Sequence, residues 1–136
     1  MCEAIKAALA SDKTIDIVTT GKKSGMPRTT EIWFNRVEDR IIICGTPGSS
    51  EEGGSGYQPR HWLANLRARP NFQFCLKESV QACLPARAVE ITDAADRRYI
   101  MMHPATQWYR DHVTDPEDLV RDSPIIEVFL EGYPHA

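Results

Sequence analysis

The sequence contains no long apolar run and only a small excess of negative charge. Residues 1–10 carry no stretch apolar enough for a signal peptide or a membrane span, so we expect a cytoplasmic protein. The net charge of −3 argues against a nucleic-acid-binding domain, which is usually basic. The chain has 136 residues, 42% of them hydrophobic and 26% charged. These values predict one globular domain spanning residues 1–136.

The cysteines form no recognisable metal or redox motif. None of Cys2, Cys44, Cys75 and Cys83 belongs to a C-x-x-C pair or lies near a histidine at a metal-ligand spacing. We therefore predict reduced thiols and no metal site.

Familiar catalytic motifs are also missing. The segment around Lys22 and Lys23 lacks the glycine spacing of a P-loop, residues 53–57 do not form a G-x-S-x-G turn, and no H-E-x-x-H occurs. Without an evident nucleophile or metal, a bound cofactor would have to supply any difficult chemistry.

The hydrophobic pattern predicts a mainly β protein with flanking helices. β-branched or alternating segments indicate about six strands, at residues 14–20, 29–35, 40–45, 71–77, 80–91 and 124–130. Helical patterns cover residues 2–10, 61–69, 93–102 and 105–112. Pro85 interrupts the strand at 80–91 and indicates a bulge or a sheet edge. Several antiparallel strands with few helices favour a closed barrel, because closure removes exposed edges.

Residues 21–28, GKKSGMPR, form the most distinctive local feature. Lys22, Lys23 and Arg28 lie close together in an acidic chain, Ser24 adds a hydroxyl, and the glycines would let backbone N–H groups form an anion nest. The residues alone leave two interpretations open, a phosphate site and a solvated hairpin tip.

Two sequence runs resemble one known family. TTGKKSGMPR at 19–28 resembles the T-T-x-G-R-K-S-G-x-P-R hairpin of the deazaflavin-dependent nitroreductases, within the split β-barrels similar to pyridoxamine 5'-phosphate oxidase. RHWLANLRARP at 60–70 resembles the second signature of that family, P-x-W-x-x-N-L-x-A-x-P. Lys22 stands where the family more often has arginine.

The resemblance implies a split β-barrel of about six antiparallel strands that binds coenzyme F-420, an 8-hydroxy-5-deazaflavin, with FMN as the alternative. It implies a homodimer and a reductase that transfers a hydride to a quinone, enone or nitroaromatic acceptor. The alternative from another class is a non-catalytic carrier of the cofactor. The expected cofactor-binding residues are Lys22, Lys23, Ser24, Gly25, Arg28, Arg60, Trp62 and Asn65.

Three aromatic residues are candidates for the acceptor side, namely Trp33, Trp108 and Tyr109. Neighbouring helical residues point about 100° apart, so one of Trp108 and Tyr109 packs inward while the other faces out. We expect Tyr109 to line the acceptor pocket as the catalytic residue. The alternative is one core aromatic and one surface aromatic. For Trp62 the alternative is a purely structural core residue.

Overall fold

The computed structural model describes residues 1–46 and 61–134. The strands are β1 (Thr14–Thr20), β2 (Pro27–Trp33), β3 (Asn35–Val37), β4 (Arg40–Cys44), β5 (Asn71–Leu76), β6 (Ala82–Glu90) and β7 (Ile125–Leu130). The helices are α1 (Glu3–Ser11), α2 (His61–Ala68), α3 (Ala94–Met101), α4 (Gln107–Asp111) and α5 (Pro116–Asp122), with a 3-10 turn at Pro104–Thr106.

The seven strands form one antiparallel sheet in the order β2-β1-β5-β6-β7-β4-β3. The two edge strands, β2 and β3, are separated along the chain by Phe34 alone. A single residue cannot span an open sheet of this width, so the sheet has to curl until its edges approach. Phe34 is buried in the interior that this curling creates. The predicted split barrel is confirmed, with seven strands in the described residues instead of about six, but β2 and β3 remain edges of the sheet, so the expected closure is incomplete.

Two hydrophobic clusters lie on opposite faces of the curled sheet. The inner cluster contains Phe72, Phe74 and Leu76, the predicted apolar face of β5, together with α1 and α2. The outer cluster lies between β4 and the helices α3, α4 and α5. β4 is buried on both faces, since Ile41 and Ile43 face the inner cluster and Ile42 faces the outer one.

Two local predictions differ from the structure. Pro85 does not interrupt β6, which continues through it, but it lies at a sheet edge as predicted, because β7 pairs with β6 only from Ala86 onward. The structure also has a helix that the sequence analysis did not predict, α5, at whose start the Asp115 carboxylate accepts the Glu117 N–H. The second difference concerns the cysteines.

Cys75 and Cys83 form a disulfide, whereas the sequence predicted thiols. They are directly opposed across β5 and β6, with Cα atoms 4.0 Å apart, although eight positions separate them in sequence. This juxtaposition depends on the hairpin register and not on a spacing motif. Cys2 and Cys44 are not in disulfides. Among residues 1–46 and 61–134, no cluster of potential ligands could hold a metal ion and no helix could span a membrane.

Candidate functional site

The tip of the β1–β2 hairpin is a tight turn held by its own backbone. Gly21 N–H donates to the Met26 carbonyl at 2.8 Å, and Gly25 N–H donates to the Gly21 carbonyl at 2.9 Å. Gly25 has a φ of +70°, which favours glycine, and a Cβ added to Gly21 would overlap the Ser24 hydroxyl. The turn therefore requires glycine at position 25, and a side chain at position 21 would displace the Ser24 hydroxyl.

Helix α2 supports the hairpin from below through Asn65, which is only 5% exposed. Its Oδ1 accepts the Lys22 N–H at 2.8 Å, and its Nδ2 donates to Thr19 Oγ1 at 3.1 Å. One turn later, Arg69 donates to the Gly21 carbonyl at 3.4 Å. Arg69 and Thr19 were missed by the sequence analysis, because neither residue type indicates a support role without knowledge of the packing.

These bonds change the expected role of the hairpin amides. The N–H groups of Gly21, Lys22 and Gly25 are occupied within the protein, and the Met26 N–H donates to Ser24 Oγ at 3.1 Å. These four hairpin amides therefore stabilise the turn and are not available for the anion nest expected from the glycines. Ser24 accepts through its oxygen and keeps its O–H proton as a donor.

A cavity of about 630 Å³ opens between this hairpin and helix α2. Its lining includes the hairpin cations Lys22, Lys23 and Arg28. Within the part of the chain that the structure describes, none of these three cations is in an ion pair. The first turn of α2 also lines the cavity, and a helix N-terminus favours anions.

The other residues expected to bind the cofactor do not all line the cavity. Ser24, Trp62 and Asn65 line the cavity, and Trp62 is at the same time part of the inner cluster. Gly25 shapes the turn without lining the cavity. Arg60 lies outside the described residues. The cavity thus offers cations, a hydroxyl and an aromatic wall, which suit a phosphorylated ring compound of flavin type.

The base of the same hairpin carries an aromatic surface. Trp33 and Trp108 meet edge to face with ring centroids 5.2 Å apart, and His112 stacks on Trp108 at 3.8 Å. Trp33 is 37% and Trp108 is 41% exposed. Neither lies in the lining of the cavity beside the hairpin tip.

Tyr109 occupies a different position from the expected one. It is 4% exposed, belongs to the outer cluster, and its hydroxyl accepts the Asn35 Nδ2 hydrogen at 3.2 Å. On the short helix α4, the angular separation between neighbours turns Trp108 outward and Tyr109 inward.

A polar side chain that the sequence analysis missed, Lys13, lies between the exposed Trp33 and the buried Asn35. Lys13 Nζ donates to Asn35 Oδ1 at 2.8 Å and lies 5.3 Å from the centre of the Trp33 ring. Burial lowers the pKa of the Lys13 ammonium, while interaction with Cys44 opposes that shift. No sequence signal links Lys13 to Asn35, because the β-sheet brings them together.

Solved structures resemble the fold over nearly its whole length. A protein described as an F420 reductase is 17% identical, with a TM-score of 0.60, and the match covers 97% of each chain. An FAD-binding protein from Mesorhizobium loti is 13% identical, with a TM-score of 0.63, covering 93% of this chain and 85% of that one. A proposed pyridoxamine 5'-phosphate oxidase from Listeria innocua is 11% identical, with a TM-score of 0.61, covering 93% and 90%.

The fold is therefore a split β-barrel like that of pyridoxamine 5'-phosphate oxidase. A sequence-family model described as "F420H(2)-dependent quinone reductase" matches residues 5–122, which include the hairpin, helix α2 and the aromatic surface. The chain is accordingly an F-420-dependent reductase, and it belongs to the F420H(2)-dependent quinone reductase family.

Proposed function

We propose that this oxidoreductase transfers a hydride from reduced coenzyme F-420 to a quinone, enone or nitroaromatic acceptor. The observation that carries the proposal is the cavity beside the hairpin, lined by three cations that no described carboxylate neutralises. A phosphate would supply the missing negative charge.

In this proposal the hairpin holds the cofactor phosphate. Lys23 and Arg28 provide charged donors, Lys22 adds a third positive charge, and Ser24 donates through its hydroxyl. Trp62 offers an apolar wall, and Asn65 keeps the hairpin in position through the Lys22 N–H. Gly25 permits the turn, and Arg60 stays a predicted contact. When bound, coenzyme F-420 would supply the hydride, and the protein would orient the reactants and exclude water.

Two alternatives use the same cavity. FMN also carries a phosphate on a ribityl chain, so the hairpin cations do not discriminate strongly between the two cofactors. A non-catalytic carrier is disfavoured, because a carrier has no use for an exposed aromatic surface on the strand that leads away from the cavity.

Absorption spectroscopy of the purified chain, titrated with coenzyme F-420 and with FMN, tests the choice of cofactor. We expect coenzyme F-420 to bind and to displace FMN in a competitive titration. A tenfold preference for FMN, about 1.4 kcal/mol, would contradict the deazaflavin assignment.

A homodimer is also part of the proposal. Met26 at the hairpin tip is 60% exposed, and a large apolar side chain beside a ligand cavity is suited to contact with a partner. A cytoplasmic location stays a prediction. Reducing conditions there would open the Cys75–Cys83 disulfide unless the fold protects it.

A further inference from the structure

The base of the β1–β2 hairpin carries two indole rings in contact on the protein surface. We call Trp33, Trp108 and His112 the aromatic patch. Its rings are in edge-to-face and stacked contact at 5.2 Å and 3.8 Å, so they support one another and form a single aromatic cluster. Trp33 and Trp108 both remain more than one third exposed. Binding of a planar ligand to this surface would therefore bury further apolar area and stabilise the complex.

Lys13 gives this surface a hydrogen-bond donor. Its ammonium lies 5.3 Å from the centre of the Trp33 ring and, among the residues that the structure describes, donates one hydrogen bond, to Asn35 Oδ1. No carboxylate within residues 1–46 and 61–134 forms an ion pair with it, since Glu78 binds the backbone N–H of Lys13 and Thr14 instead. An ammonium has three donors, so two of them can serve a ligand.

Three buried residues set the position of the ammonium, Asn35 directly and Tyr109 and Cys44 through Asn35. Asn35 is held by its own donors, which reach Tyr109 Oη at 3.2 Å and Cys44 Sγ at 3.7 Å. These two bonds orient the amide so that Asn35 Oδ1 faces Lys13. Burial also lowers the pKa of Lys13, because the ammonium has lost part of its hydration, although the interaction with Cys44 opposes that shift.

We propose that Lys13 and the aromatic patch bind the electron acceptor, a planar conjugated carbonyl compound. Because the two indole planes are 79° apart, its ring system stacks on one indole and meets the other at an angle. One of its carbonyl oxygens accepts a hydrogen bond from Lys13 Nζ. Asn35 and Tyr109 are positioning residues that act through Lys13. The role of this ligand as acceptor rests on the proposed function; its binding at the patch does not.

The location of the aromatic patch agrees with a role in binding the acceptor, because strand β2 contributes both to the patch and to the cavity at the hairpin tip. Arg28, Thr29 and Thr30 of β2 line the cavity beside the hairpin tip. Trp33 follows on the same strand, about 16 Å from Arg28 at the usual rise of about 3.3 Å per residue. The cavity lining therefore runs along β2 toward the patch.

The test uses the indole N–H signals of the full-length protein in two-dimensional ¹H–¹⁵N spectra. The chain has three tryptophans, and the buried Trp62 serves as an internal reference. The probe is 2,3-dimethyl-1,4-naphthoquinone, whose blocked ring positions prevent addition of the exposed Cys2 thiol. The control probe is 2,3-dimethylnaphthalene, which has the same ring system without carbonyl oxygens.

We expect the quinone to shift the Trp33 and Trp108 signals and to leave the Trp62 signal unchanged. Lys13→Met should weaken quinone binding about tenfold, because a charged donor is lost, and should leave hydrocarbon binding unchanged. Lys6→Met removes the same charge from an exposed helix position and should affect neither probe. Trp33→Leu should weaken binding of both probes.

Equal quinone affinity in the wild-type protein and the Lys13→Met variant would overturn the inference. Shifts confined to Trp62 would do the same, since they would place the quinone in the cavity. A separate titration with coenzyme F-420 distinguishes the two proposals. If the coenzyme binds and the patch signals do not respond to quinone, this inference fails alone; if the quinone binds at the patch and the coenzyme does not bind, the proposed function fails alone.

Discussion

The two ends of the β1–β2 hairpin both carry lysine side chains, but in opposite settings. At the tip, Lys22 and Lys23 are exposed and belong to a group of cations. At the base, Lys13 is a single half-buried ammonium against an indole ring, oriented by Asn35. A cluster of exposed cations suits a ligand with a full negative charge, whereas an oriented, partly dehydrated donor suits a neutral oxygen. The same side-chain chemistry thus serves two different ligands.

The largest effect that would test this contrast is expected at the tip. Replacing Lys23 and Arg28 together by Ala should weaken coenzyme F-420 binding by roughly 2–4 kcal/mol, because two charge-assisted hydrogen bonds are lost and their effects do not add fully. Calorimetric titration measures the change, and the wild-type affinity should fall as salt rises. Lys6→Ala is the matched exposed control. Unchanged affinity in the double variant would remove the phosphate site from the tip.

A smaller effect is expected from the helix that supports the tip. Asn65→Ala leaves the Lys22 N–H and the Thr19 hydroxyl without their buried partner. Thermal unfolding should show a loss of about 1–3 kcal/mol in the free energy of unfolding, and cofactor affinity should fall because the hairpin is less well held. Asn71→Ala, at an exposed position, is the control. A loss of stability with unchanged affinity would assign Asn65 to the fold alone.

The smallest effect is expected from Tyr109, the buried residue behind the base of the β1–β2 hairpin. Tyr109→Phe removes the hydroxyl that accepts from Asn35, which should cost about 0.5–1.5 kcal/mol of stability. Quinone affinity should fall several-fold while hydrocarbon affinity and coenzyme affinity stay at their wild-type values. Tyr99→Phe, whose hydroxyl is exposed and bonded to Glu38, is the control. If Tyr109→Phe changes stability without changing quinone affinity, Tyr109 only supports the core.

The sequence predicted the residue cluster at the tip of the hairpin but not the one at its base, and the reason is physical. The tip is local, with its cations and glycines within eight consecutive residues, so the pattern is visible in the sequence. The base joins Lys13, Asn35 and Tyr109, and the last two are 74 positions apart. Their meeting depends on sheet order and on the packing of α4 against β3 and β4.

The same distinction explains the errors in the fold. β-branched residues placed β1 correctly and alternation placed β5 correctly, because each strand carries its own pattern. The helix α5 was not predicted, although Asp115 and Pro116 give a local signal for it, a cap followed by a favourable first helical residue. The Cys75–Cys83 pair and the position of Pro85 depend on strand register, which sequence alone did not determine.

The one-residue link at Phe34 has a consequence for how the barrel folds. Curling of the sheet requires β1 to pair with β5 and β4 to pair with β7, and both pairings close long stretches of chain. Phe34 can enter the interior only after these slow pairings have formed, so its contacts should develop late, after the rate-limiting barrier. Truncation of this side chain should therefore accelerate unfolding and leave the refolding rate nearly unchanged.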